Sequence, residues 1–251
     1  MNNTLDNNEF FDLIASDYDE MVSFAQSVQK KKEAFKNIIK PWMKSAADLG
    51  CGTGGDSIAL ASLGLEVTGF DPSSEMIRVA NENAKKEKLD VDIYEYAIHT
   101  IPESFTNKFD LVVSLGNTFA NIEGKFFAES IKKCFGLLKS KGTLVIQVLN
   151  YEKILSEKKR IVNIREGKEN YFIRFYDFNN DEIIFNILIF SKTNPHQNKL
   201  ISTNVYPYNL EDFNQELNNV GFNKIEFCAD LNFTKYDKLH SQDLIVISEK
   251  R

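Results

Sequence analysis

The sequence predicts an α/β fold: a mostly parallel sheet with helices on both faces and an antiparallel β insertion over the mouth of that sheet. Three observations carry this expectation. From Ala46 onward, short apolar runs alternate with amphipathic helical segments, the signature of a parallel sheet built from strand–helix units. A glycine-rich turn, Gly50-Cys51-Gly52-Thr53-Gly54-Gly55, follows the first apolar run and precedes a helix. Between about Tyr151 and Pro207 the composition shifts to β-branched and aromatic residues.

The elements follow in chain order. Phe10, Phe11, Ile14, Tyr18 and Met21 recur at helical spacing, and a second helical stretch, 34–40, leads to Pro41. Strands are expected at 46–50, 66–70, 91–96, 110–114 and 143–149, with helices at 56–63, 73–86 and 124–138. Lys141-Gly142 supplies the turn before the last of these strands. In the shifted region, 171–177 and 183–191 read as a hairpin turning at Asn179-Asn180-Asp181. A helix at 210–220 and strands at 224–228 and 244–248 complete the pattern. Four parts result: an N-terminal helical cap (1–44), a ligand-binding core (45–150), an antiparallel insertion serving as a substrate lid (151–208), and a C-terminal part that finishes the core sheet (209–251).

Composition narrows the function classes. The chain has 251 residues, 43% of them hydrophobic, enough for one sizeable core. Its net charge of −6 argues against nucleic acid as a partner. The runs Lys30-Lys31-Lys32 and Lys158-Lys159-Arg160 read as solvated helix faces. Cys51, Cys134 and Cys228 are far apart and show no C-x-x-C spacing, so neither a disulfide framework nor a metal site is expected. No secretory pattern opens the chain, and no apolar run approaches the ~20 residues that span a bilayer. The expectation is a cytoplasmic protein that engages no membrane; no feature marks an oligomer interface, so the oligomeric state is left open.

The chemistry concentrates at the glycine turn. Glycines adopt positive φ and let a ligand approach the backbone closely. Asp48 ends the first strand, and Asp71 ends the second, 21 residues beyond Gly50, where it can accept hydrogen bonds from a ribose diol. All of these fall at the carboxyl ends of parallel strands, where open α/β sheets bind ligands. The turn together with Asp71 also satisfies the G-x-G-x-x-G dinucleotide pattern, so a nicotinamide cofactor stands as the alternative. A pyrophosphate, however, is held by bare N–H groups. Here Asp48 precedes the turn and Asp56 follows it, which suits a ligand with a cationic end, such as the ammonium and sulfonium of S-adenosylmethionine.

Asp48-Leu49-Gly50-Cys51-Gly52-Thr53-Gly54 closely resembles the first motif of class I S-adenosylmethionine-dependent methyltransferases. Phe70-Asp71-Pro72-Ser73-Ser74-Glu75-Met76 resembles their second. The resemblance implies a Rossmann-like, seven-stranded sheet whose last strand, 244–248, runs antiparallel to the rest, with the insertion over the active site. A narrower likeness lies in Leu115-Gly116-Asn117-Thr118-Phe119-Ala120-Asn121, which is similar to the Leu-Gly-Asn-Ser-Phe-Ala-His stretch of glycine and glycine/sarcosine N-methyltransferases. Asn150-Tyr151-Glu152-Lys153-Ile154-Leu155 is similar to their Asn-Tyr-Asp-x-Ile-Leu segment, and Tyr206-Pro207 and Tyr236 also match.

Residue by residue, motif and resemblance together name a cofactor set of Tyr18, Asp48, Gly50, Cys51, Gly52, Thr53, Gly54, Asp56, Asp71, Pro72, Met76, Ala97, Ile98 and Leu115. They name Asn117, Tyr206 and Tyr236 as catalytic, and Asn117, Asn121, Arg174, Tyr206 and Tyr236 as contacts of the acceptor. One departure stands out. The arginine that grips a substrate carboxylate in glycine N-methyltransferases is Leu149 here, and Arg174 in the insertion is the candidate replacement. His99 reads as structural rather than as a base. The expected activity is methyl transfer to a small-molecule acceptor, an amine or amino acid nitrogen. An O- or C-nucleophile, or a catalytically silent cofactor-binding protein, are the alternatives.

Overall fold

A computed structural model of the chain describes residues 4–179, 182–194 and 196–251. The chain opens with two helices, α1 (Asn7–Val22) and α2 (Phe24–Phe35), separated at Ser23, whose backbone turns left-handed. Two strand–helix units and a third strand follow: β1 (Ser45–Leu49), α3 (Gly55–Ala61), β2 (Glu66–Asp71), α4 (Ser74–Glu87), β3 (Asp92–Glu95). Then come β4 (Phe109–Ser114), α5 (Gly124–Leu137), β5 (Leu138–Leu149) and α6 (Tyr151–Glu157). Strands β6 (Ile161–Glu166), β7 (Asn170–Asn179), β8 (Glu182–Ser191) and β9 (Asn198–Val205) precede α7 (Leu210–Val220), β10 (Phe222–Cys228) and β11 (Asp243–Lys250).

Seven strands form one sheet in the order β3-β2-β1-β4-β5-β11-β10. Only β11 runs against the others, pairing antiparallel with both β5 and β10. The order reverses between β1 and β4, so loops leaving their carboxyl ends diverge and open a crevice there. The strands are apolar on both sides because helices cover both. Ala47, Leu49 and Val112 point into a cluster with Ile131, Phe213 and Leu217 of α5 and α7. Ala46, Leu111 and Val113 point the other way, onto Phe35, Ala59 and Leu60 of α2 and α3. This is the period-2 alternation of strands buried on both faces.

The second sheet is an antiparallel meander, β6-β7-β8-β9. One face of it is buried: Phe172, Ile187, Ile189 and Ile201 pack on Phe10 and Ile14 of α1 and on Met76 of α4. Burying side chains of this size contributes about 1.5–3 kcal/mol each. The N-terminal segment also docks on this sheet, Leu5 donating its N–H to the Ser202 carbonyl at 2.9 Å. The cap helices, the lid sheet and the core therefore enclose a common space above the crevice.

Several expectations need correction. The helix expected at 34–40 is absent: α2 ends at Phe35, and residues 36–38 form a turn before Pro41. α2 itself was hidden, because its apolar residues are sparse among Lys and Gln. The insertion holds four strands rather than one hairpin, and α6 precedes them. β7 and β8 do pair through their full length, up to Asn179 against Glu182. Asn180 and Asp181 of the expected turn lie outside the described residues. No described helix is long and apolar enough to cross a membrane.

Candidate active site

The loop after β1 is folded by its own backbone. The N–H groups of Gly50 and Cys51 both donate to the Phe70 carbonyl, at 2.7 and 3.0 Å, drawing the loop across the end of β2. Gly50 has φ +71°, and a Cβ there would collide with Thr118. Gly52, at φ +54°, differs: a Cβ built on it meets nothing within 4 Å, because it points into a cavity of about 650 Å3. That volume lies within the usual range for small-molecule sites.

Acidic groups surround this cavity. Asp71 accepts from Gly52 N–H at 2.8 Å and from Ser73 N–H at 2.9 Å, one bond on each carboxylate oxygen. Each oxygen keeps a lone pair, which suits a vicinal diol. Burial pushes the Asp71 carboxyl up to about 6. Asp56 opens α3 and pairs with Lys31 of α2 at 2.5 Å through Oδ2. Its Oδ1 is buried and has no hydrogen-bond partner among the described residues. A buried carboxylate oxygen without a donor is costly, so it marks a place for a ligand donor. Burial tends to lower the Lys31 ammonium, but the charge and hydrogen bond of Asp56 raise it on balance.

An S-adenosylmethionine molecule fits these groups. Its ribose diol matches the free lone pairs of Asp71, its ammonium the orphaned Asp56 Oδ1, and its carboxylate Lys31. The backbone space left by Gly52 and Gly116, where no Cβ would meet an atom, gives it room. Tyr18, Cys51, Thr53, Pro72, Met76, Ala97, Ile98 and Leu115 also line the cavity, as does Gly50. The Leu115 carbonyl already accepts from Thr118 Oγ1 at 2.9 Å.

Two residues of the expected cofactor set lie behind the loop instead of on the cavity. Asp48 is 1% exposed and accepts from Ser57 Oγ at 2.6 Å. Burial and the neighbouring Asp56 charge raise its carboxyl well above the ordinary range. It braces the first turn of α3 through Ser57. Gly54, at φ +87°, packs on α4: a Cβ there would sit 3.2 Å from that of Ala80.

The residues expected on the acceptor side divide between the cavity wall and positions away from it. Asn117 lines the cavity, but its side chain is already engaged: Nδ2 donates to Tyr151 Oη at 2.9 Å, and Oδ1 accepts from Leu149 N–H at 2.9 Å. It locks the end of β5 to the loop after β4. Tyr206 and Tyr236 do not line the cavity. Tyr206 stacks near Tyr208, and the Tyr236 hydroxyl donates to Asn150 Oδ1 at 2.9 Å. The Tyr236 hydroxyl also donates to Glu152 Oε2 at 3.2 Å, so it ties the start of α6. Asn121 and Arg174 do line the cavity. Arg174 projects from the inner face of β7, and its Nε donates to Asn163 Oδ1 at 2.8 Å. No carboxylate lies within 4 Å of its guanidinium among the described residues, and burial lowers its pKa. His99 borders the cavity and stacks on Phe126 at 4.0 Å and 8°.

Sequence reading missed Lys31, Phe11 and Gln147, all on the cavity wall. Lys31 sat in a charge run that looked solvated; only the packing of α2 on α3 turns it inward.

Comparison with known proteins agrees with this geometry. Residues 46–142 match the family described as "Methyltransferase domain". The glycine/sarcosine N-methyltransferase of Aphanothece halophytica is 28% identical over 155 residues, 60% of this chain and 57% of that protein. The glycine N-methyltransferase of Homo sapiens is 31% identical over 123 residues, covering 43% of this chain and 42% of that protein. The chain thus spans about half the length of these curated relatives. An S-adenosylmethionine-dependent methyltransferase from Clostridium acetobutylicum shares the fold, with a TM-score of 0.75 at 17% identity over 96% of this chain and 98% of that one. Residues 46–142 are thus similar to a methyltransferase domain, and the seven-stranded order with its site at the switch point is the fold that the S-adenosylmethionine-dependent methyltransferase from Clostridium acetobutylicum shares.

Proposed function

We propose that the protein transfers a methyl group from S-adenosylmethionine to the nitrogen of a small amine or amino acid. The observation that carries the donor half is the pairing of Lys31 with Asp56, whose second oxygen is orphaned, opposite Asp71 in one cavity. A zwitterionic amino acid end satisfies both members of that pair. When bound, the cofactor supplies an activated methyl on a sulfonium, which leaves as a thioether. The protein's own work is alignment and exclusion of water. The α1 helix, carrying Tyr18, and the lid sheet close the space above the loop.

Two features support an amine acceptor. An amine that arrives unprotonated needs no base, and the histidine on the cavity wall, His99, is held in a stack with Phe126. Arg174, without an acidic partner among the described residues, supports an acceptor that carries a carboxylate, held through a two-pronged charge-assisted contact. The names of the glycine and glycine/sarcosine N-methyltransferase relatives point the same way.

The test is formation of S-adenosylhomocysteine on incubation with S-adenosylmethionine and matched pairs of amines, with and without a carboxylate. Carboxylated amines are expected to turn over better. Arg174→Gln is expected to raise their KM about 10- to 100-fold, the loss of one charge-assisted contact, with a much smaller change in kcat. Turnover confined to hydroxyl or carbon acceptors contradicts the amine assignment.

A further inference from the structure

The loop after β4 contains two left-handed residues in succession. Gly116 has φ +69° and Asn117 φ +71°. Glycine takes that conformation freely, but a residue with a side chain keeps it only where its surroundings over-determine it. Asn117 is held at every polar group. Its N–H donates to Gln147 Oε1 at 3.0 Å and its Nδ2 to Tyr151 Oη. Its Oδ1 accepts from Leu149 N–H, and its carbonyl from Ala120 N–H at 3.1 Å. Leu115, Gly116 and Asn117 form part of the cavity wall, and the next residue, Thr118, abuts the donor loop at Gly50.

The side chain that holds the Asn117 N–H interrupts an apolar strand. The last part of β5 reads Thr143-Leu144-Val145-Ile146-Gln147-Val148-Leu149. Alternation puts Gln147 on the face of Val145, which packs with Phe35 of α2 and Leu60 of α3. Ile245 of β11 stands opposite Gln147 in register, and Asp243, two residues earlier, shares that face. Gln147 Nε2 donates to Asp243 Oδ1 at 2.8 Å. Chemistry dictates which end of the amide faces which partner. A backbone N–H only donates, so it takes the amide oxygen; an ionised carboxylate only accepts, so it takes the amide nitrogen. The two ends of an amide are alike in shape, and a half-turn would set the Gln147 NH2 against the Asn117 N–H. Asp243 selects against that half-turn. Its side chain makes no other hydrogen bond or ion pair among the described residues, and it does not line the cavity.

We propose that Gln147 and Asp243 are positioning residues of the acceptor site: Asp243 sets the direction of the Gln147 amide, and Gln147 holds the left-handed backbone at Asn117 against the cavity. This rests on the reading of the cavity as a site of methyl transfer to a small amine. Asp243 acts through Gln147, and Gln147 through the backbone of the loop. In-line transfer depends on alignment, and a displacement of about 1 Å can cost about 100-fold in rate. The groups that fit the cofactor's polar ends, Lys31, Asp56 and Asp71, lie on other segments. A shift at Asn117 therefore disturbs alignment and leaves the hold on the cofactor intact.

Asp243→Ala tests this, beside Asp243→Asn, whose carbonyl can still accept from Gln147. Turnover is read as S-adenosylhomocysteine formed on a carboxylated amine. Asp243→Ala is expected to lower kcat at least about tenfold, with KM and S-adenosylhomocysteine affinity within about threefold of wild type. Asp243→Asn is expected to recover most of the lost kcat. Hydrogen exchange gives a readout free of turnover: in Asp243→Ala the Asn117 amide is expected to exchange faster, while that of Val113 in β4 keeps its protection. Circular dichroism reports folding. Should Asp243→Ala not fold, Gln147→Met, which removes the amide and keeps the length, is read in the same way. A folded Asp243→Ala with unchanged kcat overturns the inference, as does a parallel loss of kcat and cofactor affinity, or unchanged exchange at Asn117. A wild type that binds S-adenosylhomocysteine but methylates no amine overturns the amine reading instead, and exchange at Asn117 then decides whether Asp243 holds the loop.

Discussion

At Gly52 the requirements of folding and binding separate. Its φ of +54° strains any side chain, but a Cβ there meets no atom within 4 Å. Gly52→Ala is expected to cost only about 1–2 kcal/mol of stability, the ordinary penalty of a left-handed residue. The added methyl enters the cavity, however, and S-adenosylhomocysteine binding is expected to weaken by at least about tenfold. A denaturant melt beside a binding isotherm checks both halves. At Asp71 the burial that raises the carboxyl to about 6 predicts a pH dependence. A carboxyl with a raised pKa in the folded state favours folding at low pH, and that contribution is lost as pH rises through about 6. Binding runs the other way, because a ribose diol needs the ionised form as acceptor. Cofactor affinity is therefore expected to fall as pH drops through 6, while Asp71→Asn shows a flat profile over the same range.

Among the elements, those of the core were legible and those that fold over it were not. β1, β2, β4 and α7 follow from short apolar runs and caps: Asn209 caps α7 through a capping box with Asp212, and the helix starts and stops as its pattern says. β6 and β9 were missed because neither is a continuous apolar run; β6 alternates with Asn and Arg, and β9 with Lys, Ser and Thr. Their existence depends on pairing with β7 and β8, which local sequence does not report. The lid's hold on the cap helices is testable at Phe172, fully buried among Phe10, Ile14 and Ile187. Phe172→Ala is expected to cost about 3–5 kcal/mol by chemical denaturation. A loss below 1 kcal/mol would mean that the lid and cap are not packed as described.

Across the whole molecule, the donor site was far more legible than the acceptor site. The glycine turn and Asp71 act through backbone geometry over a few residues, so spacing reveals them. Lys31 and Asp56 meet across 25 positions, and only packing of α2 on α3 brings them together. On the acceptor side, the motif matches divide: Asn117 lines the cavity with its side chain already hydrogen-bonded, Tyr206 and Tyr236 lie off it, and Arg174 reaches it from a strand 57 positions beyond Asn117. Net charge adds a constraint at this scale, since Arg174 has no acidic partner among the described residues of a chain of net charge −6. The central claim is that this cavity holds S-adenosylmethionine. Its most direct test is calorimetric titration of wild type and Asp71→Asn with S-adenosylhomocysteine, with NAD as the competitor. One site per chain in the wild type, weakened about 10- to 100-fold in Asp71→Asn and indifferent to NAD, is the expected result. No binding of S-adenosylhomocysteine, or binding of NAD in its place, would contradict it.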